Sequence, residues 1–231
     1  MAACRYALPD RGLLSFGEMF AAVQDIMRGA SLPVIVDAEN GYGEGAMVAR
    51  CVLSYQRLGV GAICIEDTAI GPNKQKVQIP VSDAIRRIKI AVSARSNGST
   101  AIVARTGVRN GSSPTEFAER ARALVRAGAD IIFIDQAGSS DDLAVIAKQL
   151  KRVRPLMTLS GVAGTHALTP IDLRSMGFSI ILTPLAIMMS SIEAMSLALD
   201  HLRNGELSRT VYTSSDLASL LQAPSWTKYD A

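Results

Sequence analysis

Acidic and basic residues in this chain recur at the ends of short apolar runs. Pro33-Val34-Ile35-Val36 leads into Asp37-Ala38-Glu39-Asn40-Gly41-Tyr42-Gly43-Glu44, and Ala62-Ile63-Cys64-Ile65 leads into Glu66-Asp67. Ile102-Val103-Ala104 ends on Arg105, and Ile131-Ile132-Phe133-Ile134 ends on Asp135. Carboxylates gathered in one place either repel one another or share a cation, and hard oxygen donors of this kind suit Mg²⁺. Arg105 offers a planar two-pronged donor that matches a carboxylate. A cation at the end of a buried run requires such a partner, from the protein or from a ligand.

The elements that must position these groups are legible from the same runs. Short Val/Ile-rich segments bounded by Gly or Pro read as buried parallel strands, and the carboxyl ends of such strands are where an α/β barrel builds its active site. Six are expected, near residues 33–37, 61–66, 100–105, 130–135, 155–159 and 179–183. Helical periodicity fills residues 15–28, 45–58, 83–94, 116–127, 141–152, 171–176 and 188–202 between and after them. Gly59, Gly128 and Gly177 stop helices just before strands begin, the ordinary place for a left-handed cap. Ser113-Pro114-Thr115-Glu116 and Thr169-Pro170-Ile171-Asp172 carry capping signals at helix starts. Alternation of strand and helix demands a parallel sheet with right-handed crossovers. An open dinucleotide-binding sheet is disfavoured, because Gly41-Tyr42-Gly43 lacks a third glycine and follows two acids that repel phosphate.

Composition narrows the function classes. A chain of 231 residues, 48% hydrophobic, can bury one substantial core, so a single domain over 1–231 is expected. A net charge of +3 with five Phe and five Tyr gives no basic, aromatic-laced surface for nucleic acid. No signal segment and no run of about 18 apolar residues is present, which points to a cytoplasmic protein away from membranes. Cys4, Cys51 and Cys64 lie far apart, an arrangement suited neither to disulfides nor to structural zinc.

Taken in order, the motifs resemble the isocitrate lyase and phosphoenolpyruvate mutase superfamily. Its strand ending Asp-Ala-Asp-x-Gly-Tyr-Gly is matched by residues 37–43, its Ile-Glu-Asp by Ile65-Glu66-Asp67 and its Ile-x-Ala-Arg-Thr by Ile102–Thr106. Ala127-Gly128-Ala129-Asp130 and Leu8-Pro9-Asp10 match two further segments. The resemblance implies a (β/α)8 barrel of the phosphoenolpyruvate/pyruvate type and a Mg²⁺-dependent enzyme. Such an enzyme breaks a C–C or P–C bond in a small α-oxo or α-hydroxy carboxylate through an enolate. It implies that Asp37, Glu39 and Glu66 surround Mg²⁺, that Asp10 sits beside the substrate and that Arg105 binds a carboxylate. Asp135 falls where lyase members carry Glu and mutase members His. Asn73 is one position from an Asn of the mutases, and Ser160 and His166 follow the strand near 155–159 at the same face. Members commonly exchange C-terminal helices, so residues 191–203 and 214–221 are expected to support a homo-dimer or tetramer.

Departures from the pattern shift the expected reaction. Glu39 replaces an Asp, which lengthens one metal-ligand arm by a methylene. The loop after Glu66 reads Thr68-Ala69-Ile70-Gly71-Pro72-Asn73-Lys74-Gln75-Lys76 and lacks the lyases' catalytic Cys. Ser160-Gly161-Val162-Ala163 replaces an Asn-Met-Thr-Glu segment, which disfavours substrates with an extra carboxylate. Decarboxylase, hydrolase or mutase chemistry gains at the expense of isocitrate-type cleavage. The alternatives are a member recruited to a larger specialised-metabolite substrate and a non-catalytic paralogue. The family's first strands have no counterpart before Asp10, so a six-stranded barrel with two open edges is expected.

Overall fold

A computed structural model describes residues 1–71, 76–96, 98–107, 112–135, 137–151, 153–160, 168–206 and 212–221. The chain forms two compact units, Met1–Pro184 and Leu185–Ala231. The first opens with helices α1 (Ala2–Tyr6) and α2 (Phe16–Gly29), then alternates strand and helix. Strands β1 (Ile35–Asp37) and β2 (Ala62–Glu66) flank α3 (Ala46–Arg57). Two short strands follow, β3 (Thr68–Ile70) and β4 (Lys76–Gln78), and then α4 (Val81–Ala94) and β5 (Ala101–Thr106). Helix α5 (Pro114–Arg126), β6 (Ile131–Ile134), α6 (Ser140–Leu150), β7 (Leu156–Leu159), α7 (Pro170–Met176) and β8 (Ile180–Leu182) complete it. The second unit holds α8 (Ala186–Arg203) and α9 (Ser214–Leu220).

All six expected strands are present, and they pair in parallel in the order β1-β2-β5-β6-β7-β8. Neighbours in the sheet follow chain order, the arrangement of a partial α/β barrel. Among the described residues β1 and β8 remain its edges. Helix starts are encoded locally: Ser15/Glu18, Ser113/Glu116, Ser139/Asp142 and Thr169/Asp172 each form reciprocal capping boxes, worth about 1 kcal/mol apiece. Among the described residues no helix is long and apolar enough to cross a membrane.

The two-residue period of the strands sorts their side chains between two cores. Val36, Ile63, Ile65, Ile102, Ala104, Ile132 and Ile134 face the helices, against Tyr55, Ile88, Leu124 and Ile146. Ala62, Cys64, Val103, Phe133 and Met157 face the interior of the curved sheet. Positions 37, 66, 105 and 135 continue this inner series at the strand ends, so alternation alone delivers Asp37, Glu66, Arg105 and Asp135 to one mouth. Register reinforces the placement, since Asp37 lies opposite Cys64, Glu66 opposite Arg105, and Arg105 opposite Phe133.

Candidate functional site

The loop after β1 is folded by its own polar groups. The Asp37 Oδ1 accepts from the Glu39 amide at 3.0 Å, and the Asn40 Oδ1 accepts from the Tyr42 amide at 3.1 Å. These side-chain turns hold Glu39 at φ 50° and Tyr42 at φ 59°, left-handed conformations that non-glycine residues seldom adopt. Gly41, at φ 86°, leaves no room for a side chain: a Cβ there would stand 2.8 Å from Val48 Cγ2. Tyr42 packs edge-on against Phe16, and Phe16 against Tyr55, which ties the loop to α2 and α3. The Glu39 carbonyl then accepts from the Glu66 amide at 2.7 Å, stitching the loop to the end of β2.

Among the described residues two cations serve the strand-end carboxylates. Arg105 is clamped between Asp37 and Asp135, with Nη1 donating to Asp37 Oδ2 at 2.7 Å and Nη2 lying 3.2 Å from Asp135 Oδ1. Its guanidinium stacks 5.1 Å from the centre of the Phe133 ring. Lys76 donates to Glu39 Oε2 at 2.7 Å and to Glu66 Oε1 at 2.6 Å, while Thr68 Oγ1 donates to Glu66 Oε2 at 3.1 Å. The antiparallel pairing of β3 with β4 sets this up, because Thr68 lies opposite Gln78 and Ile70 opposite Lys76. Residues 76 and 78 project from one face of β4. Sequence reasoning missed both strands and with them Lys76, for each strand has only three residues.

Among the described residues the cluster pairs four carboxylates, Asp37, Glu39, Glu66 and Asp135, with two cations, Lys76 and Arg105. Burial and a hydrogen bond shared with Glu66 push Glu39 up to about 7, against the pull of Lys76. Burial alone would raise Glu66 too, but Arg105, the Glu39 hydrogen bond and Lys76 outweigh it and hold it at about 2. Burial raises Asp37 against the pull of Arg105. Asp37 has 48% of its side chain open to water, which tempers that rise. Burial would lower Lys76, but its two carboxylates hold it above the ordinary lysine value.

Buried charges behind the mouth fix its frame. Arg87 Nη1 donates to the carbonyls of Glu66 and Thr68 at 2.8 and 3.0 Å, and Nη2 to Glu44 Oε1 at 2.7 Å. Asp67 accepts from Thr106 Oγ1 and Arg120 Nε, both at 2.6 Å, and from Gln78 Nε2 at 3.2 Å. Asp67 thereby joins β2, β4, β5 and α5 and takes no place at the mouth. Arg87 escaped the sequence reading, although its spacing with Ala84, Ile88 and Ala91 puts it on the buried stripe of α4.

The other expected residues are placed less centrally. Asp10 is exposed and is not among the side chains paired in the cluster. Ser160, at the end of β7, donates its hydroxyl to the Leu168 carbonyl at 3.0 Å. Asn73 and His166 lie outside the described residues. Cys51 and Cys64 are buried, and burial pushes the Cys64 thiol well above its ordinary value. A cleft of about 380 Å³ opens beside the cluster, lined by Leu14, Glu39, Tyr42, Met47, Ile70 and Lys76. A cleft of about 360 Å³ between Gln78 and α5 contains none of the strand-end carboxylates.

Asp37, Glu39 and Glu66 fit Mg²⁺ by chemistry, since they are hard oxygen donors gathered at neighbouring strand ends. They are not preassembled: among the described residues no three Asp, Glu, His or Cys side chains converge as a ready coordination shell. Glu39 and Glu66 face Lys76, and Asp37 faces Arg105.

Comparison with known proteins agrees with the strand-end motifs. Residues 1–203 match the family described as phosphoenolpyruvate phosphomutase. The chain is 31% identical to the 2-methylisocitrate lyase of Aeropyrum pernix over 97% of its own length and 75% of that protein's. It is 32% identical to the 2,3-dimethylmalate lyase of Eubacterium barkeri, over 81% of this chain and 66% of the relative. A crystal structure of a 2,3-dimethylmalate lyase superposes with a TM-score of 0.85 at 30% identity, covering 99% of this chain and 81% of that one. These relatives are enzymes. The chain belongs to the phosphoenolpyruvate phosphomutase family, within the isocitrate lyase and phosphoenolpyruvate mutase superfamily.

Proposed function

We propose that this protein cleaves a C–C or P–C bond in a small α-oxo or α-hydroxy carboxylate through an enolate, as a decarboxylase, hydrolase, mutase or lyase. One observation carries the reading: Arg105 is clamped between Asp37 and Asp135 on the inner face, over an apolar ring, beside further carboxylates. Each terminal guanidinium nitrogen retains an N–H for a substrate carboxylate. The two flanking acids fix the guanidinium plane before substrate arrives, so little rotamer freedom is lost on binding. Asp37, Glu39 and Glu66 would hold Mg²⁺. When bound, the ion supplies neutralisation of the negative charge that develops on the enolate oxygen. Asp10 and Asp135 would act beside the substrate, with Asn73, Ser160 and His166 at its periphery. No thiol takes part in this scheme.

A panel of oxaloacetate, phosphonopyruvate and substituted malates, assayed for pyruvate release with Mg²⁺ present, tests the reading. Release from one of them, lost in Arg105→Ala, is expected. Folded protein that releases pyruvate from none would overturn it. The apolar lining of the adjacent cleft, with Leu14, Tyr42, Met47 and Ile70, favours a second reading in which a larger, less charged substrate is used. Malates with longer alkyl substituents would then outpace oxaloacetate. Helix α8 exposes Ile187, Met189, Ile192, Met195, Leu199 and Leu202, apolar surface that a homo-dimer or tetramer would cover. Sedimentation as a monomer would exclude that assembly.

A further inference from the structure

The cluster already contains a cation of its own. The Lys76 ammonium lies 2.7 Å from Glu39 Oε2 and 2.6 Å from Glu66 Oε1, at the short end of charge-assisted hydrogen bonds. We propose that Lys76 is a resident counter-ion that competes with Mg²⁺ for the Glu39–Glu66 pair, so that the metal enters only as the lysine swings out. The proposal rests on the reading of Asp37, Glu39 and Glu66 as the metal ligands. Mg²⁺ takes carboxylate oxygens at about 2.0–2.1 Å, so the ion and an ammonium bridging the same two oxygens exclude one another.

The fold places the lysine for this exchange. β4 runs back along β3, and its residues 76 and 78 share a face. Gln78 is spent on Asp67, Thr106 and the Gly107 carbonyl, which anchors the strand, while Lys76 reaches the mouth. The Lys76 side chain is 30% exposed and ends in four rotatable methylenes, so its head can pass into water without moving the strand. Glu66 keeps its orientation when the lysine leaves, because Thr68 Oγ1 and the backbone bond to Glu39 still hold it. Exchange of a single for a double positive charge strengthens the attraction to the Glu39 and Glu66 carboxylates, which makes the swap favourable once Mg²⁺ is abundant. A site occupied by its own lysine about 90% of the time binds metal about tenfold more weakly than the open site would. Lys76 thus sets the Mg²⁺ concentration at which the enzyme becomes competent.

Calorimetric titration of Mg²⁺ into the wild-type chain, Lys76→Met and, as control, Lys89→Met, an exposed position of α4, tests this directly. Lys76→Met is expected to bind Mg²⁺ at least about tenfold more tightly than wild type, with Lys89→Met unchanged. Equal or weaker binding by Lys76→Met overturns the competition while leaving the metal reading intact. No binding by either protein at millimolar Mg²⁺ overturns both. Amine labelling of the wild-type protein, followed by mass spectrometry, probes the same competition without a variant. Lys76 should label several-fold faster with Mg²⁺ than without, whereas Lys89 should not change. Labelling of Lys76 that is indifferent to Mg²⁺ overturns the proposal.

Discussion

Arg87→Met is the most informative test of how the mouth is held. Arg87 is 2% exposed and donates to two backbone carbonyls, those of Glu66 and Thr68, as well as to Glu44. Methionine fills much of the volume but donates nothing. Each orphaned buried carbonyl costs about 1–3 kcal/mol. The Glu44 side chain is 61% exposed, so water reclaims its charge and the lost ion pair adds less than about 1 kcal/mol. Against these losses stands a gain of about 1 kcal/mol, because the buried and unpartnered Arg87 Nε disappears. The net is about 3 kcal/mol, which for a chain of this size lowers Tm by about 6–12 °C. Thermal unfolding followed by circular dichroism measures it, with Glu44→Gln as the companion variant, expected to cost less than about 1 kcal/mol. A Glu44→Gln loss equal to that of Arg87→Met would refute the reasoning, since the ion pair and not the carbonyls would then account for the arginine.

Four further outcomes are measurable. Glu39 keeps its proton up to about 7 in the folded chain but loses it near 4.5 when unfolded, so stability falls as pH rises between those values and levels off above. In Glu39→Gln that decline disappears from the Tm-against-pH profile, and its persistence would show that another group is responsible. Glu66 acts in the opposite sense: held at about 2, it contributes stability above pH 4.5 that is lost as pH falls toward 2, and Glu66→Gln removes this acid-side loss. Gly41→Ala forces a side chain into φ 86° and against Val48 Cγ2, a combined cost of about 3 kcal/mol visible in denaturant midpoints. A thiol reagent should titrate Cys4 alone in the native protein and all three cysteines after unfolding, with activity unaffected by the native reaction. Inactivation by that single modification would reinstate thiol chemistry.

The sequence read well where chemistry and periodicity coincide. Asp37, Glu66, Arg105 and Asp135 end apolar runs, and the two-residue period that makes those runs strands also delivers the charges to one face. Ser113 and Thr169 announced their helices because a capping box is written within four residues. Lys76, Arg87 and Arg120 were illegible for a different reason. Each acts through a long arm on partners 10 to 53 residues away, and no local pattern encodes such a meeting. Strands β3 and β4 hide for a related cause, since three residues with Thr, Lys and Gln among them resemble any polar connection. Asp10 shows the converse. Its motif is clear, yet its side chain is exposed and makes no ion pair with the strand-end groups among the described residues.

The loop from Asp37 to Gly45 is fastened in its left-handed turns by its own side chains and by the Phe16 and Tyr42 rings. A partner that docks there meets a surface already ordered, so association at this edge carries little loss of backbone entropy. Its heat-capacity change should carry no contribution from folding of the loop. On the exchange proposed for Lys76, the adjustable part of recognition falls to that single side-chain arm. Under that exchange, one side-chain substitution at Lys76 changes the affinity for Mg²⁺ while the loop backbone stays as it is.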